Sequence, residues 1–129
     1  MAQILLFQCE EKTVREIRQI LIPMKISCQV ISQTEFHRTL GEIADGKEDE
    51  GYFGGEYPKE SLLVMCGFSD KQMDRLLLEL RRKEIKIDYK AVLTRTNRDW
   101  DINHLYFEMR KEKIMHEMAA RDRNLFSRR

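Results

Sequence analysis

Two continuous hydrophobic runs stand out along this chain, "ILLF" at residues 4–7 and "LLVMC" at residues 62–66. A strand that is covered on both faces of a sheet needs such a run, because successive side chains point to opposite faces. The runs therefore predict two buried central strands, over residues 3–9 and 61–67. Residues 25–32 alternate apolar and polar side chains, which indicates an edge strand, and residues 89–94 form a fourth predicted strand.

Helical spacing is found in the segments between these strands. The clearest stripe lies within residues 73–80, where apolar side chains recur at i, i+3, i+4 and i+7. Ser69 precedes it with the spacing of a capping box. A short helix is predicted within residues 33–44, and a last helix is predicted to begin near Asp101 and to run to about residue 120.

Two architectures suit this order of elements. The first is an α/β domain with a four-stranded, mostly parallel sheet in the order 2-1-3-4 and helices on both faces. The alternative is a ferredoxin-like α+β sandwich, in which one face of the sheet is left uncovered. The continuous apolar strands favour the first. The two halves also resemble each other as strand, helix and strand, with Cys9 and Cys66 at matching places.

Composition and charge fit one domain spanning residues 1–129. The chain has 42% hydrophobic and 35% charged residues, and its net charge of +1 argues against binding to nucleic acid or to an anionic membrane. No apolar run is long enough to cross a bilayer. Residues 45–60 contain six acidic and two basic residues and predict a mobile acidic loop, while residues 121–129 predict a basic tail.

The cysteines and histidines suggest neither a metal site nor a cofactor. There are three cysteines, none of them in C-x-x-C spacing, and the three histidines are scattered along the sequence and lie near no cysteine cluster. The first residues resemble a strand and not a signal peptide. We therefore expect a cytoplasmic protein with free thiols.

A parallel sheet would bring several polar side chains together beyond the carboxyl ends of its strands, where such sheets bind ligands. This edge could hold a small polar ligand, but it lacks a nucleophile paired with a base, so no residue is assigned a catalytic role and we expect no enzymatic activity. The candidate ligand-binding residues are Cys9, Glu10, Cys66, Gly67, Ser69, Thr94, Asn97 and Trp100.

The stretch "KAVLTRTNRDW" (90–100) has two interpretations. In the first, Thr94 and Asn97 stabilise a turn, Asp101 caps the following helix, and Trp100 packs against that helix. In the second, the indole beside amide and hydroxyl groups forms a binding surface.

The last helix has two apolar faces. Leu105 and Met109 share one face, whereas Phe107, Ile114 and Met118 lie roughly opposite. A single domain cannot easily bury both, so the second face predicts a homodimer through the last helix, the alternative being a frayed helix with scattered apolar residues.

The segment from about Leu62 to Glu117 resembles the bacterial DUF3783 family, a domain of unknown function. The matching words are "LLVMCGFSDKQMDRLL" and "KAVLTRTNRDW". The resemblance implies no activity, cofactor or substrate, and Tyr89 departs from the apolar residue that the family usually has before the lysine. Positions that match the family pattern are Gly67, Phe68, Lys90, Thr94, Asn97 and Trp100.

Together these features predict a non-enzymatic module that binds a protein partner or its own copy. The alternative is a regulatory domain that binds a small ligand near Cys9, Cys66 and Trp100. An enzyme with a cysteine nucleophile ranks third, because no histidine lies near either cysteine in the sequence.

Overall fold

The computed structural model describes residues 2–48, 51 and 54–127, with side chains described as far as residue 120. The strands are β1 (Gln3–Phe7), β2 (Ser27–Ile31), β3 (Leu62–Cys66) and β4 (Tyr89–Val92). The helices are α1 (Glu11–Met24), α2 (Leu40–Ala44), α3 (Asp70–Arg82) and α4 (Ile102–Ser127), with 3-10 helices at Gln33–Glu35 and Asn97–Asp99.

The four strands form one sheet in the order β2-β1-β3-β4, with helices on both faces. On β1, Ile4 and Leu6 pack with residues of α1 and α3, while Leu5 and Phe7 pack with residues of α2 and α4. All five residues of β3 are buried. The α/β class, the strand order and the cover on both faces are therefore confirmed, and the ferredoxin-like alternative is wrong.

The direction of the central strands differs from the expectation. β1 and β2 are parallel, as are β3 and β4, but β1 and β3 are antiparallel. The sheet is thus mostly parallel without being parallel at its centre. A continuous apolar run indicates that a strand is buried on both faces of the sheet. It does not indicate whether that strand is parallel or antiparallel to its neighbour. The chain leaves β2 and enters β3 at the same end of the sheet, so the segment between them does not have to run the length of the sheet.

The two strand-helix-strand units repeat with a spacing of 59 residues. Gln8 and Gly67 (67 − 8 = 59) both have positive φ, of 57° and 70°, directly after a central strand. Lys25 and Glu84 (84 − 25 = 59) also have positive φ, of 58° and 55°, within two residues of the end of a helix. The internal similarity expected from the sequence is present, but this spacing places Phe7, not Cys9, at the position equivalent to Cys66.

The last helix extends further than predicted, and another predicted segment is only partly described. α4 continues to Ser127, so most of the predicted basic tail at 121–129 is helical, and its side chains lie outside the described residues. Part of the predicted acidic loop at 45–60, namely residues 49, 50, 52 and 53, also lies outside them. The mobility of that loop stays a prediction.

Replacing Lys25 or Glu84 by glycine should stabilise the protein. Both residues have positive φ, a conformation that costs an L-residue about 1–2 kcal/mol and costs glycine little. We expect Lys25→Gly and Glu84→Gly each to raise the free energy of unfolding by about 1 kcal/mol, measured by urea denaturation. Lys83→Gly is the matched control, because Lys83 has a φ of −89° and gains nothing from glycine. Equal effects at all three positions would contradict the expectation.

Candidate functional site

The eight residues predicted to bind a ligand lie at two opposite ends of the sheet. Cys66 pairs with Gln3 at the start of β1, whereas Cys9 follows the end of β1. Gln3 and Phe7 alone are about 13 Å apart, at roughly 3.3 Å per residue. Cys9 and Glu10 are therefore separated from the other six residues, and the prediction of one shared site is wrong. The physical reason is the antiparallel central pair, which sends the carboxyl ends of β1 and β3 in opposite directions.

At the first end, a cavity of about 310 Å³ is lined by Cys9 and Glu10 together with Lys59, Ser61 and Asp88 among others. One of its acidic groups already has partners, because the Asp88 carboxylate accepts hydrogen bonds from the Ser61 backbone N–H (2.8 Å) and from the Ser61 hydroxyl (3.1 Å). The arrangement joins the segment before β4 to the start of β3. These hydrogen bonds between Asp88 and Ser61 stabilise the fold and do not activate a nucleophile.

The cysteine thiols are poor nucleophiles where they stand. Burial raises the pKa of Cys9 to about 11, with a smaller contribution from the neighbouring Cys28, and burial raises the pKa of Cys66 to about 11. Cys66 is only 3% exposed and packs in the core. A thiolate is the reactive form, so neither residue is prepared for covalent catalysis at neutral pH.

At the second end, Thr94 and Asn97 stabilise the turn after β4. The Asn97 Oδ1 accepts from the Thr94 N–H at 2.7 Å, and the Thr94 hydroxyl accepts from the Asn97 N–H at 3.1 Å. The Asn97 Nδ2 donates to the carbonyl oxygen of Val92 at 2.8 Å. Asn97 is buried and uses both ends of its amide within this turn. Its contacts match the first interpretation of the opening stretch.

The remaining residues at this end also have tasks in the fold. Asp101 accepts from the His104 N–H at 2.8 Å and so caps α4, and the Trp100 ring stacks on the His104 ring with centroids 4.3 Å apart. The Ser69 hydroxyl accepts from the Gln72 N–H and completes the capping box of α3. Gly67 provides the positive φ that the chain needs between β3 and α3. A shallow cavity of about 340 Å³ remains beside Trp100.

Glu60 fixes the position of α4 against the sheet. Its two carboxylate oxygens accept from the Nε and the Nη2 of Arg110, each at 2.6 Å. The backbone carbonyl of Glu60 accepts from the Tyr106 hydroxyl at 2.7 Å, and its side chain accepts from the Tyr89 hydroxyl at 3.1 Å. The hydrogen bonds from Arg110 are the main cause that lowers the pKa of Glu60 to about 2. Sequence spacing gave no sign of this cluster, because its members are up to 50 residues apart.

The outer side of α4 is apolar and exposed. Leu105 is 2% exposed, whereas Phe107 is 63%, Ile114 is 57% and Met118 is 59% exposed. Met115, which is 61% exposed, lies beside this row. We call Phe107, Ile114 and Met118 the outer stripe of α4. The structure thus places all three predicted interface residues on one exposed surface, and their role in an interface stays a prediction.

Sequence reasoning missed a buried arginine beside β2. The side chain of Arg38 is 10% exposed, and its Nη1 forms an ion pair with the Glu35 carboxylate. The Nε and Nη2 of Arg38 are buried and have no hydrogen-bond partner among the described residues. Leaving a buried donor without a partner costs about 1–3 kcal/mol, and more when the group is charged. The only signal in the sequence was a charged residue between the apolar positions Phe36 and Leu40.

Arg38 lines a cavity of about 520 Å³ that lies between β2 and α2. Apolar side chains from both elements contribute to its wall, and Lys47 and Glu48 lie at its exposed margin. Of the surfaces described above, it is the one that combines a sizeable cavity with a charged side chain that has two donors without hydrogen-bond partners. The residues that line it include Gln29, Val30, Ile31, Ser32, Ile43 and Gly46.

Two further searches of the described residues gave negative results. In the part of the chain that the structure describes, no group of three or more His, Cys, Asp or Glu side chains is placed to hold a metal ion. Within the same part, no helix is both long and apolar enough to span a bilayer.

Part of the chain matches a known protein family. Residues 61–115 match the family model described as Domain of unknown function (DUF3783). The DUF3783 match confirms the resemblance seen in the sequence. It covers the second of the two repeated units, β3, α3 and β4, together with α4 up to residue 115. The searches against curated proteins and against solved structures found no match.

The thiols should react slowly in the folded protein. With a pKa raised from about 9 to about 11, Cys9 and Cys66 hold roughly 100-fold less thiolate than they do when unfolded. Labelling with iodoacetamide at pH 7.5, followed by mass spectrometry, should therefore be much slower in buffer than in urea at both positions. Fast labelling of either cysteine in the folded protein would contradict this and would favour a reactive thiol.

Replacing Glu60 by glutamine should destabilise the protein in a pH-dependent way. Because the folded pKa of Glu60 is about 2 instead of its ordinary 4.5, its stabilising effect is complete at neutral pH and is lost as the pH falls from about 4.5 towards 2. We expect Glu60→Gln to lower the free energy of unfolding by about 1 kcal/mol at pH 7, measured in urea, and by much less near pH 2. Glu79→Gln is the control, since its partner Arg82 is 68% exposed. A pH-independent loss would argue against the ion pair.

Proposed function

We propose that this protein is a non-enzymatic module that associates with a second copy of itself through the outer stripe of α4. The main support for this proposal is that Phe107, Ile114 and Met118 are exposed on one side of α4, whose opposite side is packed on the sheet. Large exposed apolar surfaces on a helix are typical of interaction sites. A homodimer is the simplest assembly that covers such a surface.

The length of α4 supports a partner. The helix has 26 residues, about 39 Å at 1.5 Å per residue, and every residue from 111 to 120 is exposed. A helix without tertiary contacts has little stability of its own in water. Packing against another helix would stabilise this part of α4 and remove its apolar side chains from water.

The spacing of the stripe favours a second copy in antiparallel orientation. A two-fold axis level with His116 would bring Ile114 of one helix opposite Met118 of the other, and the reverse. Phe107 lies nine residues before that level (116 − 107), and the position of Leu125 lies nine residues after it (125 − 116). The side chain of Leu125 is outside the described residues, but its position mirrors that of Phe107. The same face of both helices can therefore form the interface, as two-fold symmetry requires.

The site chemistry supports a non-enzymatic function. Cys9 and Cys66 have raised pKa values, and Asn97 is fully engaged in its turn. All three cysteines are free thiols, which suits a reducing compartment. We therefore propose that the module works in a bacterial cytoplasm, the source implied by its resemblance to a bacterial family.

Charges placed in the outer stripe should weaken the dimer. Replacing both Ile114 and Met118 by lysine removes two large apolar contacts per chain, each of which contributes about 1.5–3 kcal/mol when buried. We expect the dissociation constant to rise by at least about 100-fold in a sedimentation-velocity concentration series.

The matched control carries two lysines at exposed apolar positions outside the stripe. Ile22 on α1 is 75% exposed and Leu78 on α3 is 49% exposed. The variant with Ile22→Lys and Leu78→Lys has the same change in charge and should keep the dimer. An unmodified protein that stays monomeric at its highest soluble concentration would refute the proposal, as would equal weakening by both double variants.

A further inference from the structure

We propose that the groove between β4 and α4 binds an extended peptide segment of another protein, which carries lysine or arginine side chains and pairs with the outer side of β4. The groove consists of two cavities, of about 530 Å³ and about 340 Å³, that share Lys90, Met109 and Glu112. It shares no residue with the outer stripe of α4. The proposal therefore goes beyond self-association through that stripe.

The outer side of β4 presents backbone groups that an extended peptide can use. β4 is at the edge of the sheet, and the described part of the chain places no further strand beside it. Tyr89 and Leu93 donate their N–H groups towards β3. In this parallel pair the backbone of Lys90 and Val92 therefore faces outwards.

The pairing available on this side is short. The Val92 carbonyl oxygen already accepts from the Asn97 side chain. The groups left for a partner are the N–H and the C=O of Lys90 and the N–H of Val92. Peptides that add a strand to a sheet bind through such outward-facing backbone groups, and the pockets beside the strand select their side chains.

α4 continues past the edge of the sheet and covers the space beside β4. Met109 lies on the side of α4 that packs on the sheet. Lys113, His116 and Ala120 continue that side at helical spacing, but they are exposed and line the groove. The Lys113 ammonium lies 5.8 Å from the centre of the Tyr89 ring, so this part of α4 is beside the start of β4. Neighbouring strands lie about 4.8 Å apart, and the groove is therefore where a fifth strand would lie.

The charges along the groove favour a basic segment. Even without Asp88, which is bonded to Ser61, the carboxylates outnumber the lysines. Tyr89, Ala91 and Met109 supply apolar wall between the charges. An excess of negative charge attracts a basic peptide and disfavours nucleic acid or another anionic partner. The carboxylates and lysines that line the groove are Asp88, Glu108, Glu112 and Glu117, and Lys90 and Lys113.

Nuclear magnetic resonance of the backbone amides tests the pairing. The probe is an acetylated and amidated hexapeptide of alternating valine and lysine, which is titrated into the isotope-labelled protein at constant ionic strength. We expect saturable shifts of the Lys90 and Val92 amide signals, together with slower hydrogen exchange at both. The absence of a saturable shift at these two amides, up to the solubility limit of the peptide, would overturn the proposal. Protection of the same amides that rises with protein concentration without peptide would show a second copy in the groove and would also overturn it.

Two altered peptides separate the contribution of charge from that of the backbone. The first has glutamate in place of each lysine and should bind at least about tenfold more weakly, because like charges repel at the groove. The second is methylated at every backbone nitrogen, has no N–H to donate, and should not bind. Equal binding of the glutamate peptide would overturn the proposed chemistry of the partner, and equal binding of the methylated peptide would overturn strand pairing.

Two variants at Lys90 test the same hydrogen bond from the side of the protein. Because the Lys90 N–H faces away from β3, Lys90→Pro removes a donor to the peptide without removing a bond between β4 and β3. We expect it to weaken binding about tenfold, as measured from the Val92 amide signal. Lys90→Gln is the matched control, since it loses the same charge, keeps the N–H and should bind as tightly as the unmodified protein. Equal binding by both variants would overturn the proposal. If Lys90→Pro does not fold, the methylated peptide decides with the unmodified protein.

Discussion

The antiparallel pairing of β1 with β3 is the constraint on which the rest of the structure depends. Leu5 lies opposite Val64 at the middle of this pair, and both strands are covered by helices on their two faces. The pair divides the chain into two similar units that run in opposite directions. Each unit places its first strand at the centre, its second strand at an edge and its crossover helix on the same face of the sheet.

This constraint also decides where a binding site can lie. In a sheet that is parallel throughout, all strands end at one edge and create a crevice where the order of strands reverses. Here β1 and β3 finish at opposite ends of the sheet, so the polar residues that follow these two strands are divided between those ends. Each smaller group is then used for capping and turns, as at Ser69 and Asn97. The buried donors without a hydrogen-bond partner are found instead on Arg38, beside the edge strand β2.

The sequence predicted the features that depend on local pattern. The continuous run at residues 62–66 correctly indicated a strand buried on both faces, and the spacing of Phe107, Ile114 and Met118 correctly indicated an exposed row. The direction of β3 could not be obtained in this way, because a buried strand has the same composition in either orientation. Arg38 was missed because periodicity reports neither its burial nor its ion pair with Glu35.

The hydrogen bond from the Asn97 side chain to the Val92 carbonyl has a consequence for how the protein behaves among other chains. Tyr89 and Leu93 donate their N–H groups towards β3, so in a parallel ladder the backbone of Lys90 and Val92 faces away from the sheet. An unprotected outer strand is a template for aggregation. The Asn97 side chain already bonds to the Val92 carbonyl oxygen, which is the last acceptor on the outer side of β4. Lys90 places a charge on the same strand. Another strand therefore could not form a complete set of backbone hydrogen bonds with β4. The turn that first suggested a recognition surface thus leaves one acceptor fewer on the outer margin of β4 for another strand to pair with.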